Sequence, residues 1–132
     1  MIKFTTSEKK YLESMEECRL ATAKKNMPHV KPVSYIFFEN AFFVATDYET
    51  VTYRNIVKNP KAGLVVDTYS PGKHKAVCCQ GDVTVLENGE EFLKIYQQFL
   101  KKFAWVRNDP WKENEAPILK IVPVTKTSWG LV

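Results

Sequence analysis

The residues best suited to chemistry lie in segment 45–60, ATDYETVTYRNIVKNP. Its pattern predicts the end of a strand, a polar turn and a short helix that stops at an Asn-Pro pair. Thr46, Thr50 and Thr52 place hydroxyl groups around the predicted helix start, and Arg54 follows one turn later. A helix N-terminus has unpaired N–H groups and a partial positive charge, so this set could bind a phosphate. The alternative is that Thr50 only caps the helix while Arg54 points to solvent.

The composition predicts one globular domain spanning residues 1–132. Hydrophobic residues make up 45% of the chain and charged residues 26%, which is typical of a globular protein. The net charge of +4 comes from 19 basic and 15 acidic residues. This mild excess of basic residues favours anionic ligands. The sequence lacks the dense block of like charge that is typical of a nucleic-acid-binding tail.

Three cysteines and two histidines predict neither a disulfide framework nor a metal site. The opening MIKFTTSEKK has no apolar core of a signal peptide, and no apolar run approaches the length of a membrane span. We therefore expect a cytoplasmic protein without a membrane partner.

Alternating apolar residues predict about six strands, which favours a mainly β, α+β fold built on an antiparallel barrel or sandwich. Thr5 and Glu8 predict a capping box for a first short helix, and residues 88–91 predict a second box that opens a long amphipathic helix. Turns are expected at 26–28 and 39–40, and a loop at 107–117. The predicted strands are 19–24, 29–38, 41–46, 61–68, 76–86 and a final stretch of 118–124 continued by 125–132.

Four residues within predicted strands are singled out by their type. Pro32 cannot donate a ladder hydrogen bond, so it marks an edge strand or a place where a ligand approaches the backbone. Gly81 indicates a bulge or a close backbone contact. Cys79 shares the predicted core face, whereas Cys78 faces the other way and is a weak candidate for a reactive thiol.

The order of these motifs resembles the pyridoxamine 5′-phosphate oxidase-like family of split β-barrel flavoproteins. The resemblance runs over roughly residues 8–131 and is carried by RLATA, PHVKPVSYIF, FFVATDYETVTYRNIVKNPKAGLVVD, CCQGDVTVLE and ILKIVPVTKTSWG. It implies a six-stranded split barrel with one long and two short helices. It also implies a homodimer that binds FMN in two sites at the subunit interface.

The resemblance also implies roles for individual residues. Thr46, Thr50 and Thr52 fall on the phosphate-binding turn, and Lys31 falls on a basic position of the preceding long strand. Pro32, Val33 and Ser34 fall on backbone that lines the flavin ring, and Trp129 would contribute to the partner's site.

The family turn often reads Ser-Arg-Lys, where this chain has Thr50, Val51 and Thr52. Both cations of that turn are therefore missing, and Arg54, alone or together with Lys58, would supply the positive charge.

The resemblance implies a flavin-dependent oxidoreductase that acts on a small molecule, with the cofactor carrying the redox chemistry. No catalytic side chain is identified; Tyr69, His74 and Lys75 are weak candidates for substrate contact. A deazaflavin-dependent reductase, a flavin-binding electron carrier and a haem binder are alternatives. A barrel that binds single-stranded nucleic acid is a further alternative, disfavoured because many aromatic residues lie on the apolar face of a helix.

Overall fold

The computed structural model describes residues 2–131 as seven strands and four helices. The helices are α1 (Thr6–Ser14), α2 (Val51–Lys58), α3 (Glu90–Lys102) and α4 (Ala104–Asn108). The strands are β1 (Glu17–Lys24), β2 (Met27–Ser34), β3 (Ile36–Phe38), β4 (Ala41–Ala45), β5 (Lys61–Thr68), β6 (Lys75–Leu86) and β7 (Ile118–Trp129). None of the described helices is long and apolar enough to cross a membrane.

All described strands belong to one antiparallel sheet of order β2-β1-β5-β6-β7-β4-β3. The two end strands, β2 and β3, are separated in the chain by Tyr35 alone. The sheet must therefore curl until its ends meet, which gives the predicted split barrel. The predicted single strand 29–38 is wrong, because the chain leaves one end of the sheet at Tyr35 and enters the other. This break raises the strand count from the predicted six to seven.

Tyr35 is fixed on several sides at this crossing. Its ring is fully buried, its hydroxyl donates to the Leu12 carbonyl, and its N–H donates to the Glu16 carbonyl at 3.1 Å. The Lys102 ammonium lies 4.6 Å from the centre of the ring. Burial lowers the pKa of Lys102, although nearby Glu16 and Glu13 oppose that effect.

The sheet separates two apolar cores. The barrel interior is filled from β1, β4, β5, β6 and β7, with α1 covering one end. The second core packs α3 and α4 against β3, β4 and β7 through its aromatic side chains. The apolar face predicted for α3 comprises Phe92, Ile95, Tyr96, Phe99, Leu100 and Phe103. All of these are buried there except Leu100, which is half-buried and packs against the same core, so the face is confirmed.

Local signals predicted some element ends and missed others. The capping box at Thr5 and Glu8 is confirmed. The box at 88–91 is wrong: Gly89 is the N-cap without a side-chain bond, and its N–H donates to Glu113 at 2.7 Å. Asn88 instead donates to Asn114 at 2.9 Å.

The connections between elements also differ in part from those predicted. The turn at 39–40 is confirmed, whereas the turn predicted at 26–28 lies at Lys25 and Asn26, whose φ angles are positive. The predicted loop at 107–117 begins later than expected, because α4 extends to Asn108. The final strand material is one strand ending at Trp129, and Val132 lies outside the described residues.

Gly81 lies where β6 and β7 change register, and the predicted close approach of backbone is confirmed. Gly81 is opposite Pro123 and Gln80 is opposite Thr125, so one residue of β7 is left over between these pairs. A Cβ atom added at Gly81 would lie 2.4 Å from the Val122 carbonyl oxygen. No side chain can occupy that position without moving β7.

We expect Gly81→Ala to lower the free energy of unfolding by about 2 kcal/mol, because the added methyl group overlaps rigid backbone. Gly63→Ala is the matched control: its Cβ would lie 3.8 Å from the nearest atom, the Cys79 carbonyl oxygen. The control should change stability by less than about 1 kcal/mol. Urea denaturation measures both, and equal losses in the two variants would contradict the bulge constraint.

Glu8 ties α1 to β7 through a buried ionic network. Its carboxylate accepts from the Lys126 ammonium at 2.7 Å, the Ser128 hydroxyl at 2.5 Å and the Thr5 N–H at 2.8 Å. Burial alone would raise the pKa of Glu8, but these hydrogen bonds and the charge of Lys126 outweigh burial and lower it.

A lowered pKa in the folded state means that ionised Glu8 stabilises the protein above its unfolded-state pKa. That contribution should be lost as the pH falls below about 4. Glu8→Gln should cost about 1–3 kcal/mol at neutral pH and flatten the acid limb of stability against pH. The control is Glu91→Gln, which breaks the more exposed ion pair with Lys120 at 2.6 Å. It should change the neutral-pH stability and the acid limb only slightly. An unchanged acid limb in Glu8→Gln would contradict this account.

Candidate functional site

The turn between β4 and α2 is ordered by threonine hydroxyl groups. Thr50 is the N-cap of α2, and its hydroxyl accepts from the Tyr53 N–H at 3.1 Å. The same hydroxyl donates to the Asp47 carbonyl at 2.9 Å and lies 2.8 Å from the Thr46 hydroxyl. The Thr50 hydroxyl has only one hydrogen and donates it to Asp47. The Thr46 hydroxyl is therefore the donor in the contact between the two threonines. The capping alternative for Thr50 is therefore confirmed, and its hydroxyl has no bond left to offer.

The groups available to an anion here are backbone N–H groups. Val51 and Thr52 are the first two residues of α2, so their N–H groups have no intrahelical acceptor. The side chain of Thr52 is buried, with 1% of its surface exposed. Arg54 is exposed and donates to the Glu49 carbonyl at 2.6 Å, so it folds back over the turn. Phosphate binding at this turn stays a prediction.

Two buried contacts hold α2 against β1. Asn55 donates to the Thr22 hydroxyl at 3.0 Å, and Asn59 donates to the Ala23 carbonyl at 3.2 Å. Thr22 pairs with His29 of β2, and Leu20 pairs with Lys31. Because directly opposed residues share a face, Lys31 lies on the side of the sheet that carries α2. The structure thus places Lys31 and the Thr46–Thr50 turn on the same side of the sheet.

The remaining predicted ring-lining residues divide between the two faces of β2. Val33 shares the core face with Lys31, whereas Pro32 and Ser34 point to the outer face. β2 is an end strand, so the edge-strand interpretation of Pro32 is confirmed. A ligand along this backbone stays a prediction.

Trp129 is far from the turn within one chain. Ala45, which precedes Thr46, pairs with Ile118 at the opposite end of β7 from Trp129. Eleven residues of strand span roughly 35 Å. Trp129 thus lies away from the turn of its own chain, and its contribution to a site in another subunit stays a prediction.

The other predicted candidates show no arrangement for catalysis. The rings of Tyr69 and His74 lie against each other with centres 4.3 Å apart and an angle of 32° between them, and 75% of the Tyr69 surface is exposed. Burial raises the pKa of Cys18 and Cys79 to about 12 and also raises that of Cys78, so the thiols stay protonated. Residues 2–131 contain no cluster of groups that could hold a metal ion.

A cavity beside the Thr46 turn was missed from the sequence. Its volume is about 300 Å³, and its walls come from the turn, from α4 and from the loop after α4. We call it the tryptophan cavity, and its lining residues are Ala45, Thr46, Asp47, Trp105, Asp109, Pro110, Trp111, Glu115 and Ala116. The sequence signal was an unusual density of tryptophan, proline and acidic residues within 105–116.

The rings of the tryptophan cavity form a packed group. Trp105 and Trp111 stack with centres 6.1 Å apart and an angle of 11° between the rings. Trp111 also meets Tyr96 edge-on at 4.9 Å, and its backbone N–H donates to the Tyr96 hydroxyl. The indole nitrogen of Trp111 is buried and has no hydrogen-bond partner among residues 2–131. The side chain that α3 holds in place therefore keeps an unused donor.

A larger depression of about 750 Å³ lies near the start of β1. Its walls include Ser34, Lys102 and the acidic residues Glu13, Glu16, Glu17 and Asp67. The Lys102 ammonium already donates to the carbonyls of Met15 and Tyr35. The Lys102 ammonium is therefore not free to bind an anion in this depression.

Several solved structures share this fold. The haem storage protein HutZ from Vibrio cholerae aligns with a TM-score of 0.82 and 14% identity, over 93% of this chain and 92% of that chain. A pyridoxamine 5′-phosphate oxidase candidate from Listeria innocua aligns at 0.75 with 15% identity, over 92% and 94%. An FAD-binding protein from Mesorhizobium loti aligns at 0.74 with 18% identity, over 95% and 94%. No curated protein sequence matches the chain.

At these identities the structural similarity shows the fold, and the sequence itself identifies the family. The profile of the pyridoxamine 5′-phosphate oxidase family matches residues 4–127, which is nearly the whole chain. With its curled antiparallel sheet and the strand–turn–helix at Thr46, the chain belongs to the pyridoxamine 5′-phosphate oxidase family.

Proposed function

We propose that the protein binds FMN and is a flavin-dependent oxidoreductase acting on a small molecule. The observation that carries the proposal is the β4–α2 turn, which is ordered by the hydrogen bonds of Thr46 and Thr50. At the start of α2, the N–H groups of Val51 and Thr52 have no intrahelical acceptor. The flavin would supply the hydride or electron chemistry, and the chain would bind and orient it. The FAD-binding similar structure is consistent with a flavin, although it does not select FMN.

The phosphate would be held mainly by backbone donors and by charge. The N–H groups of Val51 and Thr52 face out of the helix start, where the helix dipole is positive. Arg54 and Lys31 would add positive charge from the two sides of the turn. Neither side chain takes part in an ion pair among the described residues. Pro32, Val33 and Ser34 of β2 would then lie along the ring.

The homodimer is part of this proposal, and α3 does not supply its interface. The aromatic residues of α3 are buried within the chain and leave no large surface for a partner. The outer face of the sheet is a better candidate. Ala21, Gly63, Val65 and Cys78 form its half-buried middle, beside Val30, which is 65% exposed.

The same outer face ends at Trp129. Trp129 pairs with Ala76, whose side chain points to the outer face yet is 1% exposed. The indole is itself 49% exposed. A second copy seated on this face would cover apolar area and bring Trp129 towards the other subunit, as the shared flavin site requires.

Two other cofactor classes follow from the comparisons and the family. Two of the similar structures are haem-related proteins, HutZ from Vibrio cholerae and a haem-binding protein from Mycobacterium smegmatis. Haem would need an axial ligand, and the candidates among the described histidines are His29 and His74. The Nδ1 atom of His29 is buried and has no hydrogen-bond partner among the described residues. A deazaflavin would use the same turn, and an electron carrier would bind FMN without a substrate.

The phosphate site is tested by comparing FMN with riboflavin, which lacks the phosphate. We expect purified protein to prefer FMN, and the double variant Lys31→Gln/Arg54→Gln to reduce that preference at least about tenfold. Lys9→Gln/Lys10→Gln on exposed α1 is the control with the same loss of charge. Flavin absorption after desalting and titration by calorimetry give the affinities.

The possible results separate the parts of the proposal. Equal affinities for FMN and riboflavin would remove the phosphate site and leave a flavin binder. Haem absorption without flavin binding would replace the cofactor. Bound FMN that NAD(P)H does not reduce and that acceptors do not reoxidise would favour the electron carrier over the enzyme.

The dimer is tested by Val30→Glu, which places a charge on the outer sheet face. We expect wild-type protein to sediment as a dimer and this variant to shift towards monomer, because the charge would be buried without a partner. Val57→Glu is the matched control, since Val57 is a 55% exposed valine on α2. A monomeric wild type at micromolar concentration, or equal effects of the two substitutions, would contradict the proposed interface.

A further inference from the structure

We propose that the tryptophan cavity is a binding site for an organic cation, a small molecule carrying a protonated amine or a quaternary ammonium group. The inference rests on the charge of the cavity walls and on the stacked rings beside them. It does not rest on the proposed cofactor, because none of these groups is among those assigned to the phosphate or the ring of FMN.

The charge of the cavity is opposite to that of the chain. Three of its lining residues are acidic, Asp47, Asp109 and Glu115, and none is a lysine or an arginine. The chain as a whole carries four more basic than acidic residues. The carboxylates of Asp47 and Asp109 make no hydrogen bond or ion pair with another described residue, whereas Glu115 accepts from the Lys112 N–H at 2.6 Å. Two negative charges in the wall are thus left unbalanced.

The stacked tryptophans supply the second half of a cation site. A tryptophan face attracts an ammonium group held within about 6 Å of its centre. Trp105 keeps 45% of its surface exposed although it is stacked on Trp111. The two rings are too close to admit a ligand between them, so a cation would lie over the open side of Trp105 or at the ring edges. Aromatic surface beside free carboxylates is the combination that binds ammonium ligands.

The Trp111 ring in the inner wall also carries a buried polar group without a partner among residues 2–131. This group is the indole N–H, and buried polar groups normally have a partner. The cavity volume of about 300 Å³ suits a small organic cation.

The test uses choline and its uncharged carbon isostere, in which a tert-butyl group replaces the trimethylammonium group. The two probes have nearly the same shape and the same hydroxyl, so they differ in charge alone. The full chain is labelled with nitrogen-15, and the three indole N–H signals, assigned by single Trp→Phe variants, are followed during titration. We expect choline to move the Trp105 and Trp111 signals to saturation and to leave the Trp129 signal in place, with the isostere moving none.

Two double variants complete the design. Asp109→Asn/Glu115→Gln should raise the Kd for choline by about tenfold, because two of the three charges are lost. Asp82→Asn/Glu90→Gln removes the same charge outside the cavity and should leave the Kd unchanged. The proposal is overturned if choline and the isostere act equally, if the first pair of substitutions leaves the Kd unchanged, or if choline moves neither cavity signal. Because FMN is absent from the titration, failure here leaves the flavin proposal standing, and failure of flavin binding leaves this one.

Discussion

The fold depends on a connection of one residue. β2 and β3 lie at opposite ends of the sheet order, and Tyr35 alone joins them. A flat sheet of seven strands would hold these ends tens of ångströms apart, so the connection requires the sheet to curl. The same closure brings β2 against β4. The strand that carries Lys31 therefore approaches the strand that leads into the Thr46 turn, and the candidate cofactor site is a product of the closure.

Local signals predicted much of this architecture. The capping box at Thr5 and the amphipathic face of α3 depend on neighbouring residues, and both are confirmed. The close approach at Gly81 involves a distant strand, but the glycine itself indicated it, and it is confirmed too. The break at Tyr35 was not predicted, because strand-forming residues continue on both sides of it and neither of its neighbours, Ser34 and Ile36, is a glycine or a proline. The start of α3 was predicted incorrectly for a related reason. Its N-cap is bound by Glu113, a residue from a distant loop.

The candidate site was predicted less completely than the fold. Sequence placed hydroxyl groups at a helix start, but it could not distinguish a hydroxyl that caps the helix from one that binds a ligand. In the folded chain the Thr50 hydroxyl donates to the Asp47 carbonyl and accepts from the Thr46 hydroxyl and the Tyr53 N–H. The tryptophan cavity was missed because its walls combine the β4–α2 turn with residues 105–116, and only the folded chain brings these segments together.

β7 is the last described strand in the chain, yet it lies between β6 and β4 in the sheet. While the ribosome is still making the chain, the four strands β2-β1-β5-β6 and the hairpin of β3 and β4 can form only as two separate pieces. Each piece then has an open edge where β7 belongs, and such edges can pair with other nascent chains. Joining the pieces requires contacts between residues far apart in the chain, which form slowly. Aggregation during synthesis is thus the hazard that this strand order creates, and arrival of β7 ends it.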